Sequence, residues 1–193
     1  IAHSVRDVDI DNAFVSKLKA SGRCYTPTLM REVSTYIYES TPAFFADSQF
    51  LRYANKEWVA AGRDPARQQS IRTNAAAQKY KAQRPVATRN MKKLADAGLL
   101  IAMGTDTGPN VRFQGYFELM ELEMMVKGGL STTAALNSAN AVAAKCMGLD
   151  RELGTLERGK WADFVVLDDN PVANIANVHH INSVFIAGNR VPR

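Results

Sequence analysis

Between Gly98 and Gly104 the chain reads Leu-Leu-Ile-Ala-Met without a polar residue, and two residues later it reaches Asp106, followed by Gly108. An apolar run this short, bounded by glycines, reads as a buried strand. Asp106 then lies just past the strand's C-terminal end. Barrels of alternating strands and helices carry their chemistry at that end of each strand. A carboxylate there can bind a divalent metal, accept a proton, or do both.

The rest of the chain is consistent with such a fold. It has 193 residues, 46% of them hydrophobic, which is enough for one sizeable core or one domain and a fraction. No apolar run approaches the ~20 residues that cross a bilayer, so no membrane association is expected. The chain opens on Ile1 without a basic-apolar leader. Either a removed signal peptide or a larger missing N-terminal part is expected, and the compartment stays unread. Cys24 precedes a strand-like stretch and Cys146 lies in a small-residue helix, so two buried free thiols are expected over a disulfide between them. Residues 52–93 hold eleven Lys or Arg against only Glu57 and Asp64, a local balance of +9. The reading adopted is a solvated helical face. The alternative, an electrostatic footprint, lacks any accompanying nucleic-acid motif.

Hydrophobic periodicity and local punctuation give the element order. Ile1 to Ser4 read as the end of a strand, and Ala13 to Ala20 as a helix stopped by Gly22. Arg23 to Leu29 read as a second strand, with Pro27 at its exit. From Met30 to Gly62 aromatic residues recur irregularly (Tyr36, Tyr38, Phe44, Phe45, Phe50, Tyr53, Trp58), as in a helical excursion broken at Pro42. These rings either line a substrate pocket or pack the excursion onto the body. A helix from Pro65 to about Ala97 is expected to break or kink at Pro85. Helices follow over Phe117–Lys127, Thr132–Asn137 and Ala139–Met147. Trp161–Leu167 and Ser183–Ile186 read as strands, with a turn through Ala187 to Arg190. The implied class is α/β, the end of a parallel barrel followed by short β-strands.

Three stretches resemble the metal-dependent amidohydrolase superfamily, nearest to its imidazolonepropionase-like and dipeptidase-like branch. Ile1-Ala2-His3-Ser4 is similar to the end of barrel strand six. Ile101 to Gly108 is similar to strand eight. Gly154 to Asp168 (G-T-L-E-R-G-K-W-A-D-F-V-V-L-D) is similar to the return into the small β-sandwich that accompanies the barrel, and Gly129 to Leu136 to the helix start before it. The resemblance implies that residues 1–150 are the C-terminal part of a (β/α)8 TIM barrel and 151–193 part of the β-sandwich domain. It implies that Asp106 is a metal ligand and the general base. His3 is either a second metal ligand or faces the substrate or reactive water. The implied cofactor is one or two divalent ions, zinc foremost. Asp163, Asn137 and Asn140 read as structural. His179 and His180, taken as neighbours on a strand, would point to opposite faces and chelate poorly.

The resemblance also marks what the chain lacks: the His-x-His pair of strand one, the strand-four lysine or glutamate, and the strand-five histidine. An eight-stranded barrel does not close from three strands. The expected partners are therefore the missing N-terminal half of the same protein and a small-molecule amide or dipeptide substrate, with a homo-oligomer left open. Arg112, in the loop after Asp106, either holds a substrate carboxylate or lies on the surface; Tyr25, Tyr36 and Tyr38 are further candidates to reach substrate. Alone, the fragment is expected to be inactive. The alternative is a non-catalytic binding module acting through the basic helices of residues 52–93.

Overall fold

The computed structural model describes residues 1–192. Its centre is three short parallel segments. Ala2 bridges Thr26, and Tyr25 bridges Ile101. The backbone bonds are Thr26 N–H to Ile1 O at 2.8 Å, His3 N–H to Thr26 O at 2.9 Å, Tyr25 N–H to Leu100 O at 2.9 Å and Ala102 N–H to Tyr25 O at 3.0 Å. Residues 24–26 thus lie between 1–3 and 100–103, all running the same way. The expected strands are present as single bridges rather than long ladders, and Leu29, read as strand, already begins a helix. Leu99, Ile101 and Ala102 are buried, as their sequence suggests.

Helices surround these segments. They are α1 (Asn12–Ala20), α2 (Leu29–Ser34), α3 (Ser48–Tyr53), α4 (Lys56–Arg63), α5 (Pro65–Thr73), α6 (Ala75–Asp96), α7 (Tyr116–Lys127), α8 (Thr132–Ala139) and α9 (Ala141–Met147). Side-chain caps set most of the starts: Asp11, Asp47, Asn55, Asp64, Asn74 and Ser131 each accept a backbone N–H from the first turn that follows. These caps correct one expectation. The long helical stretch breaks at Asn74, whose extended backbone ends α5 and whose side chain caps α6, and not at Pro85, which sits inside the continuous α6. Pro85 is exposed, so water can reach the carbonyl one turn before it that loses its N–H partner. On either side, buried Ala77 and then Ala87, Asn90, Met91 and Leu94 hold the helix to the body.

A second correction concerns the cysteines. Cys24 and Cys146 form a disulfide across 122 residues of sequence. It joins the start of the central segment to α9, at the end of the segments opposite Asp106. Sequence spacing gave no hint of it, because the two half-cystines come from unrelated elements.

The aromatic excursion packs mainly as core. Phe44, Phe45, Phe50, Phe113, Tyr116 and Phe117 form a connected set of ring contacts, mostly edge-to-face. Tyr38 is fully buried, and its hydroxyl donates to the Val111 carbonyl at 2.6 Å. Trp58 packs edge-to-face on Phe113 and also lines a side cavity, to which Tyr53 is exposed.

The tail forms an antiparallel sheet in the order β1 (Phe164–Leu167), β2 (Ile181–Ile186), β3 (Asn189–Arg190). Phe164 stacks on its cross-strand partner Phe185. Ala187 and Gly188, both at positive φ, make the tight turn between β2 and β3. Asp163 accepts the Ala187 N–H, a structural role as expected. His179 ends a 3-10 helix, Ile175–His179, and His180 follows it, so the pair is not on a strand. No helix among the described residues is long and apolar enough to cross a membrane.

Candidate functional site

The parallel direction of the three segments places His3, Thr28 and Asp106 at one end of the array. All three are in the left-handed region, with φ of 72°, 49° and 56°. Side chains other than glycine enter that region at a cost of about 1–3 kcal/mol, and it is least natural for a β-branched threonine. Such conformations persist only where surrounding bonds hold them, and here each is held.

His3 Nδ1 lies 2.9 Å from Thr28 Oγ1, which leaves Nε2 as the free ring nitrogen. Thr28 occupies the N-cap of α2 without capping it through its side chain. The first two α2 amides are taken instead by Glu121 of α7: Leu29 N–H donates to Oε1 at 2.8 Å and Met30 N–H to Oε2 at 2.5 Å. Glu121 has no exposed surface. Burial pushes its carboxyl up to about 8, against the pull of the two amides.

Asp106 sits between two threonines that share a second carboxylate. Thr105 and Thr107 hydroxyls donate to Glu118 Oε1 at 2.5 and 2.7 Å, and Glu118 Oε2 accepts Gly115 N–H at 2.6 Å. The Asp106 carboxylate itself meets two guanidiniums. Arg112 donates through Nη1 to its Oδ2 at 2.9 Å and to its backbone carbonyl at 3.0 Å. Arg31 Nε stands 3.6 Å from the same Oδ2. Arg112 is thus engaged with Asp106, neither a free surface residue nor an unoccupied guanidinium. The Asp106 side chain is 43% exposed, so solvent weakens these pairs.

Behind Asp106 lies a buried charged layer absent from the sequence reading. Glu32, with no exposed surface, receives Arg6 and Arg31 at 3.3 Å each on Oε1. Both arginines also reach the Tyr80 hydroxyl, and Arg6 stacks on its ring at 4.3 Å. Burial raises the Glu32 carboxyl, with Arg6 and Arg31 opposing it. Tyr25 is wholly buried and its hydroxyl accepts Val5 N–H at 3.1 Å. Tyr36 and Tyr38 are buried as well. All three rings are buried, so none presents an open face to a substrate.

As a metal site the arrangement is partial. His3 and Asp106 supply one donor each from the two outer segments, on either side of residues 24–26, and a ligand histidine held at its second nitrogen by Thr28 is the usual preparation for coordination. Among the described residues no group of three or more His, Cys, Asp or Glu is placed to hold an ion. Protein sites for catalytic zinc normally supply three donors.

The basic stretch is largely consumed internally. Arg63, Arg72, Lys81, Arg89, Lys92 and Lys93 each bond to a carboxylate or backbone carbonyl of the same chain. The side cavity, about 1210 Å³, lies between α3, the start of α7 and the tail sheet, lined by Trp58, Tyr116, Asp169 and His180 among others, and includes none of the strand-end residues. His179 and His180 are paired with Glu123 and Asp169 at 2.8 and 2.7 Å.

Glu118, Glu121, Glu32 and Thr28 escaped the sequence reading. A signal existed for one of them. Glu121 interrupts the apolar face of α7 formed by Phe117, Leu122, Met124 and Met125, and a carboxylate on an apolar face implies a buried partner.

Residues 47–191 match the model of the Amidohydrolase family. Imidazolonepropionase from Thermoanaerobacter pseudethanolicus is 30% identical over 109 residues, covering 55% of this chain and 26% of that protein. The 5-methylthioadenosine/S-adenosylhomocysteine deaminase of Teredinibacter turnerae is 29% identical over 117 residues, 51% of this chain and 26% of the relative. A solved Xaa-Pro dipeptidase with methionine in its active site superposes with a TM-score of 0.67 at 22% identity, over 97% of this chain and 39% of that one. At that identity the likeness is one of fold, an α/β arrangement of which this chain forms a part. The chain spans about a quarter of the relatives and about two fifths of the solved structure. With the family match extending over most of its length, the chain belongs to the amidohydrolase family.

Proposed function

We propose that this chain carries the C-terminal strand ends of a metal-dependent hydrolase that cleaves a C–N bond in a small molecule, such as a dipeptide, an N-acyl amino acid or a cyclic amide. The observation that carries the reading is the shared end of the parallel array, where His3, Thr28 and Asp106 meet in left-handed backbone. The names of the relatives, an imidazolonepropionase, a deaminase and a dipeptidase, support C–N chemistry. On this reading residues 1–150 are part of the barrel and 151–193 part of the accompanying β-domain. The remaining donors belong to the rest of the protein, and the chain alone is inactive.

His3, through Nε2, and Asp106 would hold a divalent ion, zinc foremost, which supplies acidity to a reactive water near neutral pH. Asp106 accepts the proton of that water and returns it to the leaving nitrogen as the C–N bond breaks. Thr28 holds the orientation of the His3 ring through Nδ1. Arg112 and Arg31 hold the Asp106 carboxylate in place, and Arg112 is positioned to exchange that contact for a substrate carboxylate. Tyr25 contributes by packing beneath the strand ends.

Asp106→Asn in the intact protein tests the assignment. Against a panel of dipeptides, N-acyl amino acids and cyclic amides, kcat should fall by about 10²–10⁴-fold, the usual worth of a general base. Activity equal to the unaltered protein removes Asp106 from the mechanism.

A further inference from the structure

We propose that Glu118 and Glu121, one turn apart on α7, are positioning residues: Glu118 sets the conformation of the Asp106 loop, and Glu121 releases Thr28 to orient His3. The proposal rests on the reading of Asp106 and His3 as reacting groups.

Glu118 makes more contacts than capping α7 requires. Closing the first turn of α7 needs only the Gly115 N–H, which Glu118 Oε2 accepts. Its other oxygen takes two hydroxyls, from the residues immediately before and after Asp106. With both neighbours fastened to one carboxylate, the peptide units flanking Asp106 cannot rotate independently. The left-handed φ of Asp106 is held from outside the loop.

Around Glu121, hydrogen-bond partners are exchanged. A threonine at an N-cap ordinarily accepts an amide of the first turn. Thr28 does not, and its Oγ1 lies beside His3 Nδ1 instead. The exchange is possible because the Glu121 carboxylate, arriving from 92 and 91 residues away in sequence, occupies the Leu29 and Met30 amides. Without it, the Thr28 hydroxyl is drawn back toward the α2 amides, and His3 loses its orienting partner. A single rigid helix turn therefore aligns two strand ends that are not themselves neighbours in the array.

The test is amide hydrogen exchange of the intact protein, read peptide by peptide, together with kcat and KM. Glu118→Ala should accelerate exchange at residues 105–107 and 115 and leave 29–30 unchanged. Glu121→Gln should do the reverse. Each should lower kcat by about 10- to 100-fold with KM within about threefold, as for small misplacements of reacting groups. Glu118→Gln, which keeps an oxygen for the two hydroxyls, should recover most of the loss. Thr28→Val isolates the second arm if Glu121→Gln fails to fold: exchange at 29–30 should stay protected while kcat falls. Uniform acceleration across the chain, or protected 105–107 amides in Glu118→Ala, overturns the proposal. If Asp106→Asn retains full activity, the base assignment fails separately, and the exchange pattern still decides the positioning.

Discussion

The Cys24–Cys146 disulfide makes the largest single contribution to stability that the structure allows one to calculate. The half-cystines are 122 residues apart, so the bond closes a loop spanning most of the chain. In the chain-entropy description such a closure removes about 16 cal/mol/K from the unfolded ensemble, or about 5 kcal/mol at 25 °C. Disulfides of small proteins typically deliver about 2–5 kcal/mol, so 5 is the upper end. The assay is urea unfolding of the intact protein, oxidised and in reductant, with a Cys24→Ser/Cys146→Ser double variant as the permanently open control. At a slope of about 2 kcal/mol/M, the midpoint should drop by about 1–2.5 M on reduction, with the reduced protein matching the double variant. The candidate site lies at the other end of the parallel segments, so its conformation should survive in the folded, reduced protein. Two reactive thiols in the native oxidised protein, or coincident midpoints with and without reductant, would falsify the bond and restore the two buried thiols expected from spacing.

Three further outcomes follow from buried polar contacts. Tyr38→Phe leaves the Val111 carbonyl without its donor and should destabilise by about 1–2 kcal/mol in chemical denaturation; an unchanged midpoint means the 2.6 Å bond has no net worth. Asn90 is 1% exposed and accepts Ile10 N–H while donating to the Val5 and Val8 carbonyls, so Asn90→Ala should cost about 3 kcal/mol or more and speed exchange over residues 5–10, beside His3; a cost below 1 kcal/mol contradicts this. Glu121 has a folded-state carboxyl raised to about 8 from 4.5, by burial first and also by Glu118 and Glu32, so the folded chain retains a proton that the unfolded chain releases. Its contribution is full below about pH 4.5 and is lost as pH rises through 8, and Glu121→Gln should flatten that part of the stability profile; a variant with the wild-type slope refutes the assignment.

Much of the fold was legible because its signals are local. The helix starts near Ala13, Pro65 and Thr132, the stop at Gly22 and the apolar run before Asp106 are each set by signals within one or two turns, so neighbouring residues suffice to read them. Pro85 misled because its cost depends on whether water reaches the freed carbonyl, which is a property of the packed helix. The aromatic run from Tyr36 to Trp58 leaves pocket and packing equally open, since the same rings serve either purpose until their neighbours are known; contact with Phe113, Tyr116 and Phe117 decides for packing, with Tyr53 left exposed to the side cavity.

At the candidate site the division is sharper. The sequence alone determined that Asp106 follows a buried strand and that His3 ends another, because strand periods and glycine boundaries are written in adjacent residues. Only the tertiary structure decided that the two strands run parallel on either side of residues 24–26, that Glu118 reaches the threonines beside Asp106 and Glu121 the first amides of α2, that Arg112 and Arg31 meet the Asp106 carboxylate, and that Cys24 joins Cys146. Each of these is a pairing between residues separated by several to more than a hundred positions. Such pairings are fixed by the burial of charge and the closure of the core, and neither quantity exists until the chain has folded.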